Sequence, residues 1–80
     1  MHWNYRLMRR EHSGETTVAI HEVFYDDNGD VDGWTEGPCQ PMGASPDGLL
    51  DDLKTMLEAF DQPVLDYETG KADKASKETA

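Results

Sequence analysis

Four side chains that could bind a cation recur at alternate positions of one short stretch: Asp26, Asn28, Asp30 and Asp32. A calcium loop of the helix-loop-helix type needs glycine at its sixth position and a bidentate glutamate at its twelfth. If Asp26 is the first position, Val31 is the sixth and Gly37 the twelfth. If Asn28 is the first position, Gly33 is the sixth and Cys39 the twelfth. Neither register supplies the glutamate. Because Asn-Gly tolerates positive φ, we predict a hairpin tip, with weak surface cation binding as the alternative.

The histidines and the single cysteine are the other residues that could ligate a metal or act in catalysis. In the pair His21-Glu22, an H-E-x-x-H zinc pattern would require a second histidine where Tyr25 stands. The lone Cys39 excludes an intrachain disulfide and a cysteine-based zinc site. A pair of Cys39 with a distant histidine would lack an orienting group and an oxyanion hole. We therefore predict no catalytic residue, cofactor or metal, and interpret His21 as structural.

We predict one helix, over residues 45–60, because the apolar residues of this segment recur at helical spacing: Leu49, Leu50, Leu53, Met56, Leu57 and Phe60. Ser45 suits the N-cap and Pro46 the first turn, because proline has no N–H to leave unpaired. Pro63 prevents continuation of the helix. One helix cannot bury its own apolar side, so we predict that these residues pack as core on a sheet. The alternative is that they fill a groove on a partner.

We predict four strands, over residues 3–10, 16–25, 30–36 and 63–67. In the first, Trp3, Tyr5 and Leu7 lie at alternate positions, as in a half-buried strand. The second is rich in β-branched and aromatic residues and is predicted to be the longest and most central. The last begins with Pro63, which favours an edge position. The predicted fold is α+β, a three-stranded antiparallel meander with a helix on one face and a short edge strand, β-β-β-α-β.

The charge distribution divides the chain into three parts. Residues 1–10 carry three Arg and no acid, residues 11–68 carry fifteen acids and one Lys, and residues 69–80 carry three Lys and two acids. The formal net charge of −10 therefore arises from a middle part with −14. Such a field repels nucleic acid and attracts basic proteins or cations, although it could also serve solubility alone. We predict one domain over residues 1–68 and a disordered polar tail over 69–80.

The predicted interaction residues are the acids of the hairpin and the helix together with one aromatic residue: Asp26, Asp27, Asp30, Asp32, Asp47, Asp51, Asp52 and Trp34. The basic start of the chain, with Arg6, Arg9 and Arg10 beside Trp3 and Tyr5, could alternatively form a small RNA platform. Because the adjoining residues are strongly acidic, we expect these arginines to pair with acids on the neighbouring strand instead, and we predict no direct binding of nucleic acid.

The segment Gly43-Ala44-Ser45 leading into Leu49, Leu50, Leu53 and Leu57 resembles the loop and helix of HicB-type antitoxins, which have a partial RNase H-like fold. The resemblance covers about residues 3–67 and implies a protein partner, a small ribonuclease toxin. HicB antitoxins usually add a DNA-binding segment, whereas only a polar tail follows here. The whole chain is also similar to small uncharacterised bacterial proteins with a WNYR start and a PVLD ending, which implies a bacterial or phage source.

The leading hypothesis is a non-enzymatic, acidic protein-interaction module that binds a basic protein through its acidic face or a free sheet edge. One alternative is a nucleic-acid mimic that inhibits a DNA- or RNA-binding protein, and another is a small cation-binding protein or enzyme. The small core favours a homodimer. No segment has the apolar h-region of a signal peptide or the roughly 18 apolar residues that span a membrane, so we predict a cytoplasmic protein without membrane contact.

Overall fold

The computed structural model describes residues 2–72. Its elements are β1 (His2–His12), β2 (Glu15–Tyr25), β3 (Val31–Trp34), α1 (Pro46–Leu57), a 3-10 turn (Glu58–Asp61) and β4 (Leu65–Asp66). The predicted α+β class and the order β-β-β-α-β are confirmed.

The sheet has four strands in the order β3-β2-β1-β4. β1 and β2 pair antiparallel over their full length of 11 residues each. β3 pairs antiparallel with β2, whereas β4 pairs parallel with β1, at Met8–Leu65 and Arg9–Asp66. The sheet is therefore mixed, with the short last strand at one edge as predicted.

The turn between β2 and β3 is the predicted hairpin tip. Gly29 has a φ of 85°, which an L side chain rarely adopts. Oδ1 of Asp26 accepts bonds from the backbone N–H groups of Asn28 at 2.9 Å and Asp30 at 3.0 Å. This carboxylate oxygen thus stabilises the turn itself.

The main buried cluster lies on one face of the sheet and consists of Met8, Val23, Tyr25 and Leu65, with Val31, Trp34 and Tyr67 packed against them. Leu7, Met56 and Ala59 are buried on the other face. Directly opposed residues of an antiparallel pair share a face, so the β1–β2 register places Met8 and Val23 on the same side. Their exposed fractions are 1% and 0%. Tyr67 follows β4, so the C-terminal segment rather than α1 supplies the covering layer over this core.

The opposite face carries Trp3, Tyr5 and Leu7, and α1 lies on this side. The hydroxyl of Tyr5 donates to Oδ1 of Asp52 in α1 at 3.1 Å. The side chain of Ser45 accepts from the N–H of Gly48 at 3.1 Å, which confirms the predicted N-cap. The α-helix ends at residue 57, and residues predicted as its last turn tighten into the 3-10 turn, as is common at helix ends.

The prediction that the apolar residues of α1 form the core is wrong. Of the six, only Met56 is buried, while five are exposed: Leu49, Leu50, Leu53, Leu57 and Phe60. The physical reason is rotation about the helix axis. Periodicity identifies the apolar side of a helix but not the direction in which tertiary bonds turn it.

The chain after β4 folds back on itself. The N–H of Gly70 donates to the carbonyl of Asp66 at 2.7 Å, and the N–H of Asp66 donates to the carbonyl of Lys71 at 2.7 Å. A bridge between Leu65 and Ala72 closes this turn. Residues 69–72, which the sequence placed in a tail, thus belong to the folded part. The rest of the predicted tail, residues 73–80, lies outside the described residues.

Candidate functional site

One line of α1 and the following turn faces the sheet and fixes the helix in place. It consists of Asp52, Met56 and Ala59, and the last two are 2% and 0% exposed. Asp52 accepts from the hydroxyl of Tyr5 through Oδ1 at 3.1 Å and from the backbone N–H of Met42 through Oδ2 at 2.8 Å. These bonds join the helix to β1 and to the preceding loop, so together they set its rotation.

The bond to Asp52 affects the protonation of Tyr5. Burial, reinforced by the Asp52 carboxylate, raises the pKa of Tyr5 to about 12. The phenol is therefore a protonated donor throughout the physiological range. The loop before the helix is held equally closely, because a Cβ on Gly43 would overlap the backbone of Leu49.

A second line, on α1 and the following 3-10 turn, is exposed and apolar. We define it as the apolar stripe: Leu49, Leu50, Leu53, Leu57 and Phe60. Leu57 is 62% and Phe60 61% exposed. Trp3 and Val18, which the β1–β2 register places on the face of the sheet that α1 adjoins, are exposed as well. Single exposed leucines are ordinary in soluble proteins, but a contiguous apolar surface marks an interaction site.

A third line of α1 is acidic and exposed, and we call it the acidic line: Asp47, Asp51 and Glu58, with Lys54 among them. These positions follow i, i+4, i+7 and i+11, so they run along one side of the helix next to the apolar stripe. Two of the predicted interaction residues, Asp47 and Asp51, lie here. Asp52 does not, because its carboxylate is bonded on the sheet side.

The other predicted interaction residues lie elsewhere in the fold. The hairpin acids Asp26, Asp27, Asp30 and Asp32 are exposed, near the edge strand β3. Trp34 is half-buried, with its ring centroid 6.1 Å from that of Tyr67. A Cβ on Gly70 would overlap the Trp34 indole, so this side chain packs as core. The structure thus separates Trp34 from the exposed acids with which the sequence grouped it.

His21, a candidate metal ligand, is buried, and Cys39, a candidate nucleophile, is half-buried. Nδ1 of His21 lies 3.0 Å from the carbonyl oxygen of Thr35, and the residue is buried. Burial raises the pKa of the Cys39 thiol, which keeps it protonated and weakly nucleophilic at neutral pH. Within residues 2–72, no group of three or more His, Cys, Asp or Glu side chains is placed to hold a metal ion.

Among the described residues, Arg6 and Arg10 do not form the expected pairs with acids of the neighbouring strand. Arg6 is buried and donates to the hydroxyl of Tyr25 at 2.9 Å and to the carbonyl of Pro63 at 2.8 Å. Arg9 bonds Glu11 of the same strand at 2.8 Å. The Arg10 guanidinium lies 4.2 Å from the centroid of the Tyr67 ring. Two of these cations therefore stabilise the C-terminal segment, which favours a structural role for the basic start of the chain.

In the part of the chain that the structure describes, no helix has the length and apolar character needed to cross a membrane. Comparison with protein-family models, curated proteins and solved structures found no match. The resemblance to HicB antitoxins stays a prediction.

Every residue of the apolar stripe falls at helical spacing in the sequence and was predicted to be core. The sequence contains no signal for the side of α1 that faces the sheet. Asp52 cannot be distinguished there from the exposed acids of the helix. Its two hydrogen bonds are visible only in three dimensions.

Proposed function

We propose that this protein is a non-enzymatic, cytoplasmic interaction module that docks the apolar stripe of α1 into a groove on a basic protein. The observation that supports the proposal is the exposure of five large apolar side chains on one side of an anchored helix. Within the stripe, Leu50, Leu53, Leu57 and Phe60 follow i, i+3, i+7 and i+10, the spacing of helices that bind in grooves.

Burial of the stripe would contribute favourably to the free energy of binding. Full burial of one leucine or phenylalanine contributes roughly 1.5–3 kcal/mol, and these side chains are about half exposed, so each gains about 1 kcal/mol. Five such side chains give about 5 kcal/mol, near the lower end of the roughly 4–15 kcal/mol that association costs, so further contacts must add to it. Because the helix is already formed and held by Asp52, its own ordering adds little to that cost.

The chemistry of the partner follows from the acidic line. Asp47, Asp51 and Glu58 border the stripe, so a partner with Lys or Arg at the rim of an apolar groove is complementary. A second copy of this chain is a poorer occupant, because pairing would bring two acidic lines and two net charges of −10 together. The HicB resemblance would make the partner a small ribonuclease toxin.

Affinity capture from a native bacterial lysate tests the proposal. Binding is at about 0.1 M salt, with washes raised to 1 M, where the Debye length falls to about 3 Å. The Leu53→Gln/Leu57→Gln variant removes apolar area at unchanged helix propensity, and Asp51→Asn/Glu58→Gln is the matched charge control. We expect a basic protein that survives high salt and is lost with the leucine variant.

Three results would contradict this account. The nucleic-acid mimic would be favoured if the captured protein binds nucleic acid and is released by the first increases in salt. The charge-control variant would then fail to capture this protein as well. Concentration-dependent dimers that dissociate in the leucine variant would make a second copy the occupant. Equal capture by the wild type and the leucine variant would remove the stripe from the interface.

A further inference from the structure

Within residues 2–72, the first half of β1 has a neighbouring strand on one side only. β2 pairs with all of β1, but β4 reaches β1 only at Met8 and Arg9. In this region the other side of β1 is an open sheet edge, which is a template for an added strand.

The direction of the backbone groups on this edge follows from the β4 contact. The carbonyl of Arg9 accepts from the N–H of Tyr67 at 2.9 Å, so the backbone of Arg9 points away from β2. Strand geometry repeats every two residues, so Trp3 and Tyr5 direct their N–H and C=O groups to the same side.

A cleft of about 400 Å³ lies along this edge. Trp3, Asn4 and Tyr5 form one wall, and Glu58, Asp61 and Gln62 contribute to the opposite wall. Both acids are exposed, and none of the described residues that line the cleft is Lys or Arg. The cleft thus combines open backbone groups, aromatic side chains and negative charge.

We propose that this cleft binds an extended basic segment of a partner protein as an added strand on the edge of β1. Main-chain bonds to Trp3 and Tyr5 would hold the segment, and Lys or Arg side chains would contact Glu58 and Asp61. The inference deepens the proposed function by adding a second contact, and it rests on that proposal for the basic character of the partner.

NMR titration tests the site on the full chain. The probe is the acetylated and amidated pentapeptide Lys-Val-Lys-Val-Lys, and the control is its Glu-Val-Glu-Val-Glu counterpart. We expect amide shifts and slowed hydrogen exchange at Trp3 and Tyr5 with the basic peptide, and at least tenfold weaker binding of the acidic one. Absence of shifts at millimolar peptide, or shifts that leave Trp3 and Tyr5 unchanged, would overturn the proposal.

Two variants separate backbone pairing from side-chain contact. Trp3→Pro removes an outward N–H, which an edge position tolerates, whereas Trp3→Val keeps the N–H and loses the same indole. We expect Trp3→Pro to bind the basic peptide at least tenfold more weakly than Trp3→Val, and equal affinities would contradict an added strand. If Trp3→Pro does not fold, peptides methylated on alternate backbone nitrogens make the same comparison on the wild type, with loss of binding expected in one methylation register.

The leucine variant distinguishes this proposal from the one before it. Leu53→Gln/Leu57→Gln leaves the cleft walls intact, so the peptide should bind it as it binds the wild type. Loss of peptide binding in that variant would contradict a cleft that is independent of the stripe. If the peptide binds normally but affinity capture finds no protein partner, only the stripe proposal is refuted.

Discussion

Met56 and Leu57 are consecutive residues of α1 with opposite surroundings. Met56 is 2% exposed and Leu57 is 62% exposed. Successive helix residues differ by about 100° in direction, so this single step crosses from the interface with the sheet to the apolar stripe. Asp52, one turn before Met56, holds this rotation through its bonds to Tyr5 and Met42.

Alanine at these two positions should have unequal effects on stability. Met56→Ala removes buried atoms and is expected to lower the free energy of unfolding by about 2–5 kcal/mol. Leu57→Ala removes atoms that are mostly in water and is expected to change it by no more than about 0.5 kcal/mol. Urea denaturation of both variants measures the difference. Equal losses would show that the stripe is core after all.

The bond between Tyr5 and Asp52 predicts a loss of stability at alkaline pH. The pKa of Tyr5 rises from 10.0 to about 12 on folding. Because the folded state holds this proton more tightly, the contribution is fully present below pH 10 and is lost as pH rises through 12. Since Tyr5 is half-buried and solvent partly screens the interaction, the contribution is about 1 kcal/mol at most. The stability difference between wild type and Tyr5→Phe should therefore shrink over that window. A difference that is constant with pH would contradict the bond.

The hydroxyl of Tyr25 should contribute more to stability than that of Tyr67. It accepts from Arg6 at 2.9 Å and donates to Asn4 at 2.7 Å within the core. Tyr25→Phe leaves a buried guanidinium with one partner fewer, which should cost about 1–3 kcal/mol. The Tyr67 hydroxyl donates to an exposed carbonyl, that of Glu36, so Tyr67→Phe is the matched control, expected to cost less than about 1 kcal/mol. Thermal denaturation of both variants would reveal any reversal of this order.

Gly70 should tolerate alanine less well than Gly29. Both have positive φ, 71° and 85°, so both variants incur roughly the same backbone cost of about 1 kcal/mol. A Cβ at position 29 meets open space, whereas one at position 70 overlaps the indole of Trp34. Gly70→Ala should therefore lose a further 1–3 kcal/mol or so from overpacking. Chemical denaturation checks this, and equal losses would show that the C-terminal turn does not pack on Trp34.

The elements of the fold could be predicted from the sequence because their signals are local. Alternating Trp3, Tyr5 and Leu7 indicated β1, and Ser45 with Pro46 marked the start of α1. The turn at Asn28-Gly29 followed from backbone preferences alone. Each of these features depends on residues a few positions apart, which a sequence displays directly.

The candidate site could not be predicted in full, because it depends on contacts between distant residues. Asp52 meets Tyr5 across a separation of 47 residues, and this contact turns the apolar stripe away from the sheet. The core instead forms under Tyr67, which follows a strand of only two residues. The sequence therefore shows which residues of α1 are apolar and which are acidic. It does not show the rotation of the helix that exposes both sets to solvent.

The most direct test of the central claim is the affinity of the captured partner for two variants, measured by isothermal titration calorimetry. If the apolar stripe is the interface, Leu53→Gln/Leu57→Gln should bind at least tenfold more weakly than wild type, at unchanged thermal stability. The charge control Asp51→Asn/Glu58→Gln should lose less affinity at 1 M salt than at 0.1 M. An affinity of the leucine variant within twofold of the wild type would contradict the account.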